Sequence, residues 1–281
     1  MTNRHPRKVE VILLGGLGNQ LFGWAAGLSL AKRLECKLVL NISQLNNRSF
    51  ALPRYLHQSA EISEKIPYYY QINSRILKRI YRNIPFFGEY FEQSSNFEDR
   101  FHRISAPAKL HGYFQSVKYF EENLPEVTSL INRRENLTQE YLELEDDFPH
   151  DFVAIHFRRG DYLINQDYHP LTTIEYYEEA IRYLDSKGIN QSKIIFTDDE
   201  KLAKEAFPNE IIFTNSDLKS PFDNLYLMGK ARAIIGANSS FSLWAGLSVN
   251  SRGGICIFPQ KWFGRKDMLD LSPVPPDFLK F

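Results

Sequence analysis

The second half of the chain alternates short apolar, β-rich runs with amphipathic helical segments, and this rhythm constrains the fold more than any other feature. "FVAIHFR" reads as a strand and "TIEYYEEAIRYLDSKG" as a helix closed by a C-cap glycine. "KIIFT", "DDEKLAKEAF" and "EIIFT" follow as strand, helix and strand, and "PFDNLYLMGKA", "RAIIGA", "SFSLWAGLSV" and "GGICIFP" as helix, strand, helix and strand. Such alternation predicts a parallel sheet covered by helices. The N-terminus carries the same unit once, with "VEVILLG", "NQLFGWAAGLSLAKRL" and "CKLVLN" as strand, helix and strand. Residues 42–108 are irregular and aromatic-rich, with helices expected to be interrupted by Pro67 and Pro85, and 119–150 is charged and helical in pattern. The expected organisation is therefore two α/β domains in tandem, 1–148 and 149–281, with a cleft between them.

Composition narrows the function. With 34 basic and 34 acidic residues the formal net charge is zero, which gives no support to a nucleic-acid partner. Arg75, Lys78, Arg79 and Arg82 form a local basic cluster, explained by a solvated helical face or by an acidic membrane surface. Cys36 and Cys256 sit in apolar strand-like runs, where cysteine acts as a small hydrophobe, and no CxxC motif occurs. The polar leader before the first strand is too short in apolar length for a signal sequence, and no apolar stretch of about 18 residues is present. A cytoplasmic chain, at most peripheral to the membrane, is expected.

The glycines of "GGLGNQLF" depart from the dinucleotide fingerprint. Gly16 and Gly18 are followed by Leu21 where a third glycine belongs, and the next strand ends in Asn41 rather than an acid. A tight turn remains, placing Asn19, Gln20 and backbone N–H groups at a helix start, either as an anion site or as a turn capped by Asn19. In "VAIHFRRGDY", strand alternation puts His156 and Arg158 on one side, near the carboxyl end where open α/β sheets bind ligands. A guanidinium there can grip a phosphate in a bidentate manner, while Arg159 points the other way, toward a structural acid. In "TDDE", one of Asp198 and Asp199 is expected to cap the following helix and the other to meet a ligand. Asn238, Ser239 and Ser240 precede another helix and suit either capping or a phosphate, and Asp223 opens a helix as a cap or a base-reading carboxylate. These loops describe a nucleotide bound through its diphosphate, and no metal site is expected.

Taken together, "GGLGNQLF", "HGYFQS" at 111–116, "HFRRGDY", "FTDDE", "DNLYLM" and "ANSSFSLWAG" resemble, in order, the motifs of bacterial α-1,2-fucosyltransferases. The resemblance runs from about Val11 to Phe263. It implies a GT-B fold, a donor bound mainly by the C-terminal domain, and metal-independent, inverting transfer of L-fucose from GDP-β-L-fucose to the 2-hydroxyl of a terminal β-galactoside. A more distant similarity to core α-1,6- and protein O-fucosyltransferases implies His156 and Asp223 near guanine, Arg158 on the β-phosphate, Ser239, Ser240 and Phe241 around the pyrophosphate, and Asp198 in donor binding. Asp161 is a candidate base or a partner for Arg159, with Asp167 and an Asn19-held water as alternatives. Aromatics within 68–91 and the segment His111–Gln115 are candidates for the acceptor side. Competing readings are a GDP-linked deoxyhexose other than fucose, such as colitose, an NAD(P)-dependent oxidoreductase, and a non-catalytic carbohydrate-binding protein.

Overall fold

The computed structural model describes residues 7–83, 88–159, 170–214, 216–268 and 271–281. The chain packs as two compact units, Met1–Val127 and Thr128–Phe281. The division precedes the break expected at 148. The intervening segment belongs to the second unit, where Thr138 bonds Asp223 and the ring of Tyr141 meets that of Tyr226 at 5.3 Å.

Among the described residues, the first unit holds a five-stranded sheet of β1 (Lys8–Ile12), β2 (Lys37–Asn41), β3 (Glu61–Ser63), β4 (Glu89–Phe91) and β5 (Ala108–His111), in the order β3-β2-β1-β5-β4. Every pairing in it is parallel. Helix α1 (Leu17–Arg33) connects β1 to β2 and buries most of its length, as its apolar composition requires. The irregular stretch contains α2 (Arg54–His57), α3 (Tyr68–Gln71) and α4 (Arg75–Asn83) along with strands β3 and β4. Pro67 does not interrupt a helix; it is the N-cap of α3. Pro85 lies outside the described residues.

Helix α5 (Leu124–Ile131) spans the division, and α6 (Gln139–Leu144) follows it. The second sheet is built from β6 (Phe152–Phe157), β7 (Ser192–Thr197), β8 (Ile211–Thr214), β9 (Ala233–Ile235), β10 (Ile255–Phe258) and β11 (Leu279–Lys280), all parallel, in the order β11-β10-β9-β6-β7-β8. Helices α7 (Ile174–Ser186), α8 (Glu200–Ala206), α9 (Pro221–Gly229) and α10 (Ser240–Asn250) cross between strands as the sequence rhythm predicts; the short β11 was not anticipated. Alternation on β6 sends Val153, Ile155 and Phe157 into a core shared with Tyr177, Ala180 and Leu184 of α7 and with Ala203 of α8. Each such large apolar side chain contributes about 1.5–3 kcal/mol when fully buried. No described helix is long and apolar enough to cross a membrane.

Gly236, just past β9, shows how tightly the strand ends are packed. A Cβ there would lie 2.2 Å from the ring of Phe258, which is itself fully buried and stacked on Phe278. Gly236→Ala is expected to lower stability by about 1–3 kcal/mol through overpacking, measurable as a shift in the urea midpoint at unchanged slope. An unchanged midpoint would show that Phe258 can move aside.

Candidate functional site

In an open parallel sheet, a crevice forms outside the carboxyl ends of the two strands where the chain order reverses. In the second sheet this point lies between β6 and β9. The end of β6 delivers His156, Arg158 and Arg159, and the end of β9 leads through Gly236 to Asn238, Ser239 and α10. The two ends meet where the His156 and Phe241 rings stand 5.8 Å apart.

Two tyrosines hold these ends in place. The Tyr177 hydroxyl donates to the His156 carbonyl at 2.9 Å, and the Tyr176 hydroxyl donates to the Gly236 carbonyl at 2.7 Å. Burial of Tyr176 pushes its phenol well above the usual range, so it remains a neutral donor. His156 is buried, and its Nδ1 has no hydrogen-bond partner among the described residues. Burial, reinforced by the Arg158 charge, lowers its imidazole to about 3, so the ring is neutral near pH 7.

Arg158 is aimed by Asp198. Its Nε lies 3.1 Å from Asp198 Oδ2, while Asp198 Oδ1 accepts the Arg159 backbone N–H at 2.9 Å. One carboxylate thus fixes a side chain and the adjacent backbone. Its neighbour takes the other expected role, since Asp199 caps α8 by accepting the Leu202 N–H at 3.0 Å. Arg159 turns back over the Phe157 ring, 3.9 Å from its centroid, and donates to the Arg158 carbonyl. Asp161 and Asp167 lie outside the described residues.

The remaining predicted residues divide by how their polar atoms are used. Ser239 caps α10 by accepting the Phe241 N–H at 3.3 Å, and Ser240 is the first residue of that helix. The Asn238 amide is buried and donates to the Pro170 and Trp262 carbonyls, so it ties loops together. Asp223 is not a cap. Ser220 caps α9, and the buried Asp223 carboxylate accepts from the hydroxyl and backbone N–H of Thr138. Burial pushes the Asp223 carboxyl above its ordinary value, against the lowering effect of those bonds.

The first sheet has its own reversal point, between β1 and β5. Gly15 adopts φ +67°, a left-handed conformation that suits glycine, and a Cβ there would meet Asn19 Nδ2 at 2.6 Å. The expected Asn19 cap is not formed. Helix α1 begins at Leu17 with Gly16 as its N-cap and no side-chain cap bond, which places Gly18 and Asn19 in the first turn. Asn19 Oδ1 instead accepts from Gln115 Nε2 at 2.6 Å, joining the loops after β1 and β5. Gln20 is fully buried; its amide donates to the Gly15 and Ser49 carbonyls and accepts from Ala51 N–H, which spends it on the loop.

Two acids of the first unit escaped the sequence reading. Glu92 accepts the backbone N–H groups of Tyr113 and Phe114 at 2.7 and 3.0 Å and so shapes the "HGYFQS" loop that presents Gln115. Burial pushes its carboxyl up, opposed by those two bonds. Glu89 Oε2 lies 3.4 Å from Nε2 of the buried His111, whose ring stacks on Phe91 at 4.3 Å beside Tyr69 and Tyr70. Burial raises the Glu89 carboxyl, but His111 and Tyr81 outweigh it and hold it below the ordinary value. The only local signal for either acid was a charge beside aromatics. Among the described residues, no group of three or more histidines, cysteines or acids is arranged to hold a metal ion.

Against this geometry, the sequence matches the family described as Glycosyl transferase family 11 over residues 4–269. It is 29% identical to an alpha-1,2-colitosyltransferase of Escherichia coli, over 95% of this chain and 97% of that protein. It is also 29% identical to the O-antigen biosynthesis glycosyltransferase WbnK of Escherichia coli, over 92% of this chain and 96% of that protein. The fold is similar to that of a variant of Arabidopsis thaliana FUT1 solved in complex with GDP, with a TM-score of 0.51 at 13% identity, over 90% of this chain and 70% of that one. The likeness bears on the fold, which is of the GT-B type, with two Rossmann-like units.

The buried imidazole gives a test of the site's electrostatics. The unfolded chain takes up a proton at the ordinary histidine value of 6.5, whereas folded His156 resists protonation until about 3. The stability it contributes is therefore complete above pH 6.5 and falls as pH drops through that window. Between pH 7 and pH 5 the wild type should lose about 2 kcal/mol more unfolding free energy than His156→Gln, by urea titration at both pH values. Equal losses would show that the imidazole is hydrated.

Proposed function

The chain belongs to glycosyl transferase family 11, and from that premise we propose that it moves L-fucose from GDP-β-L-fucose to the 2-hydroxyl of a terminal β-galactoside. The transfer inverts the anomeric configuration and needs no metal ion. The observation that carries this reading is the carboxyl end of β6, where Asp198 aims Arg158 and the Nδ1 of the buried His156, beside Phe241, has no hydrogen-bond partner among the described residues. A buried orphan of this kind calls for a partner, and a guanine edge would supply one. The proposed guanine role of Asp223 acts through the wall it forms with Thr138. Asn238 supports the same loop, and Ser239, Ser240 and Phe241 surround the pyrophosphate.

In the proposed step the galactose 2-hydroxyl oxygen bonds to the anomeric carbon from the face opposite GDP. The bond from that carbon to the β-phosphate oxygen breaks, and its electron pair leaves with GDP. The transition state is oxocarbenium-like, as in related glycosyl chemistry. Arg158 and the N–H groups opening α10 take up the charge growing on the diphosphate, the role a metal ion plays elsewhere. The hydroxyl proton passes to a carboxylate, for which Asp161 is proposed, with Asp167 or a water held by Asn19 as alternatives. Gly16, Gly18, Asn19 and Gln20 belong to the first unit's loop, where Gln20 shapes the turn and Asn19 faces Gln115.

A second reading, colitose in place of fucose, is favoured by the colitosyltransferase relative. The two sugars differ by one hydroxyl, at C3. A site built to bond that hydroxyl rejects the sugar lacking it by about 10⁴–10⁵, whereas an apolar wall excludes the extra hydroxyl by only about 10². Side-by-side turnover of the two GDP-sugars therefore separates the readings.

The direct test is GDP release from GDP-fucose in EDTA, with and without lactose. Lactose-dependent release that resists EDTA supports the proposal, and Arg158→Ala should lower it by about 10²–10³. Release that requires a divalent cation, or that survives in Arg158→Ala, would contradict it.

A further inference from the structure

Helix α4 is strongly two-faced, yet it buries no residue. At roughly 100° per residue, Ile76, Ile80, Leu77 and Tyr81 fall on one side and Lys78, Arg82, Arg75 and Arg79 on the other. An amphipathic helix of a globular unit normally turns its apolar stripe inward. This one docks along the border between its faces. The Tyr81 ring stands 6.0 Å from Tyr69 and 6.2 Å from Phe91, Lys78 Nζ lies 5.6 Å over the Tyr69 ring, and Arg82 donates to the Glu92 carbonyl at 2.7 Å. Ile76, Leu77 and Ile80 are left exposed, Ile76 at 74%.

The segment before α4 is also apolar and exposed, and the Tyr68 ring meets that of Tyr81 at 5.8 Å. Among the described residues, the exposed large apolar side chains are concentrated at 62–80, where Ile62, Ile66 and Tyr68 join the three on α4. Over residues 62–83 the charged groups are Lys65, Arg75, Lys78, Arg79 and Arg82 against Glu64 alone, in a chain whose net charge is zero. A concentrated apolar patch of this kind marks an interaction site.

We infer that this face of the first unit docks on an anionic lipid surface, with α4 lying in the interfacial plane. Charge complementarity selects that occupant. The helix carries four cations and no acid, the composition of an interfacial helix on acidic lipids. A second copy of the chain would bring like charges together, and lysine is depleted in protein interfaces. The inference is independent of the donor chemistry at β6, because it rests on a different element of the first unit.

Cosedimentation of the full chain with phosphatidylglycerol vesicles, and with phosphatidylcholine vesicles as the neutral control, tests it. The wild type should bind the anionic vesicles selectively and be released by about 0.5 M salt. Arg75→Gln/Arg79→Gln should weaken partitioning on the order of 30-fold, and Ile76→Ser/Ile80→Ser should weaken it comparably. Both should keep the wild-type thermal midpoint, since none of the four side chains is buried. Three results would overturn the inference: equal binding to neutral vesicles or none to either, double variants that bind like wild type, or self-association that Ile76→Ser/Ile80→Ser abolishes.

Discussion

A guanidinium on a flexible stem can stabilise a leaving group only if something aims it, and at the end of β6 the carboxylate of Asp198 does so. The same carboxylate holds the Arg159 backbone, while Asp199 starts α8. The turn after β7 therefore fixes the end of β6. On the other side, Tyr176 and Tyr177 reach from α7 to the carbonyls of Gly236 and His156 and fix the ends of β9 and β6 together. The charged group thus sits in a frame set before any ligand arrives, which is the condition under which oriented charges lower a barrier most. Asp198 is accordingly placed to position Arg158, and in the proposed function it would act on the donor through that side chain.

The first unit repeats the device with neutral groups. Its reversal point is bridged by Gln115 and Asn19, and the loop carrying Gln115 keeps its shape because a half-buried Glu92 collects two backbone N–H groups. Gln20 secures the glycine turn from beneath. Nearby, the His111 and Glu89 pair sits among stacked aromatics, a polar inset in an apolar wall. Helix α4 covers part of this aromatic cluster with Tyr81 and turns Ile76, Leu77 and Ile80 to solvent.

Much of this was legible in the sequence where period and punctuation are strong. The strand and helix alternation after residue 151, the two faces of β6 and the first βαβ unit all follow from local patterns. Strands β3 and β4 were missed because three-residue edge strands are too short to show a period. Adjacent Asp198 and Asp199 are equivalent as letters; only the placement of Arg158 and Leu202 separates ion partner from cap. Gln20 looked like a ligand group at a helix start, but the helix begins earlier, at Leu17, and this turns its amide inward. Asp223 likewise looked like a cap until Thr138, 85 residues away in sequence, proved to be its partner. Glu89 and Glu92 owe their importance to contacts with the 111–114 segment, which a charge beside aromatics does not by itself reveal.

Calorimetric titration of GDP, UDP and NADH into the chain in EDTA tests the central claim most directly, because it needs neither acceptor nor turnover. The predicted result is GDP binding at least about 100-fold tighter than UDP or NADH, equivalent to about 2.7 kcal/mol, with clear weakening in Arg158→Ala. Equal affinity for the three nucleotides, or GDP binding unchanged in Arg158→Ala, would contradict the assignment of β6 and its aspartate-held arginine to a guanosine diphosphate.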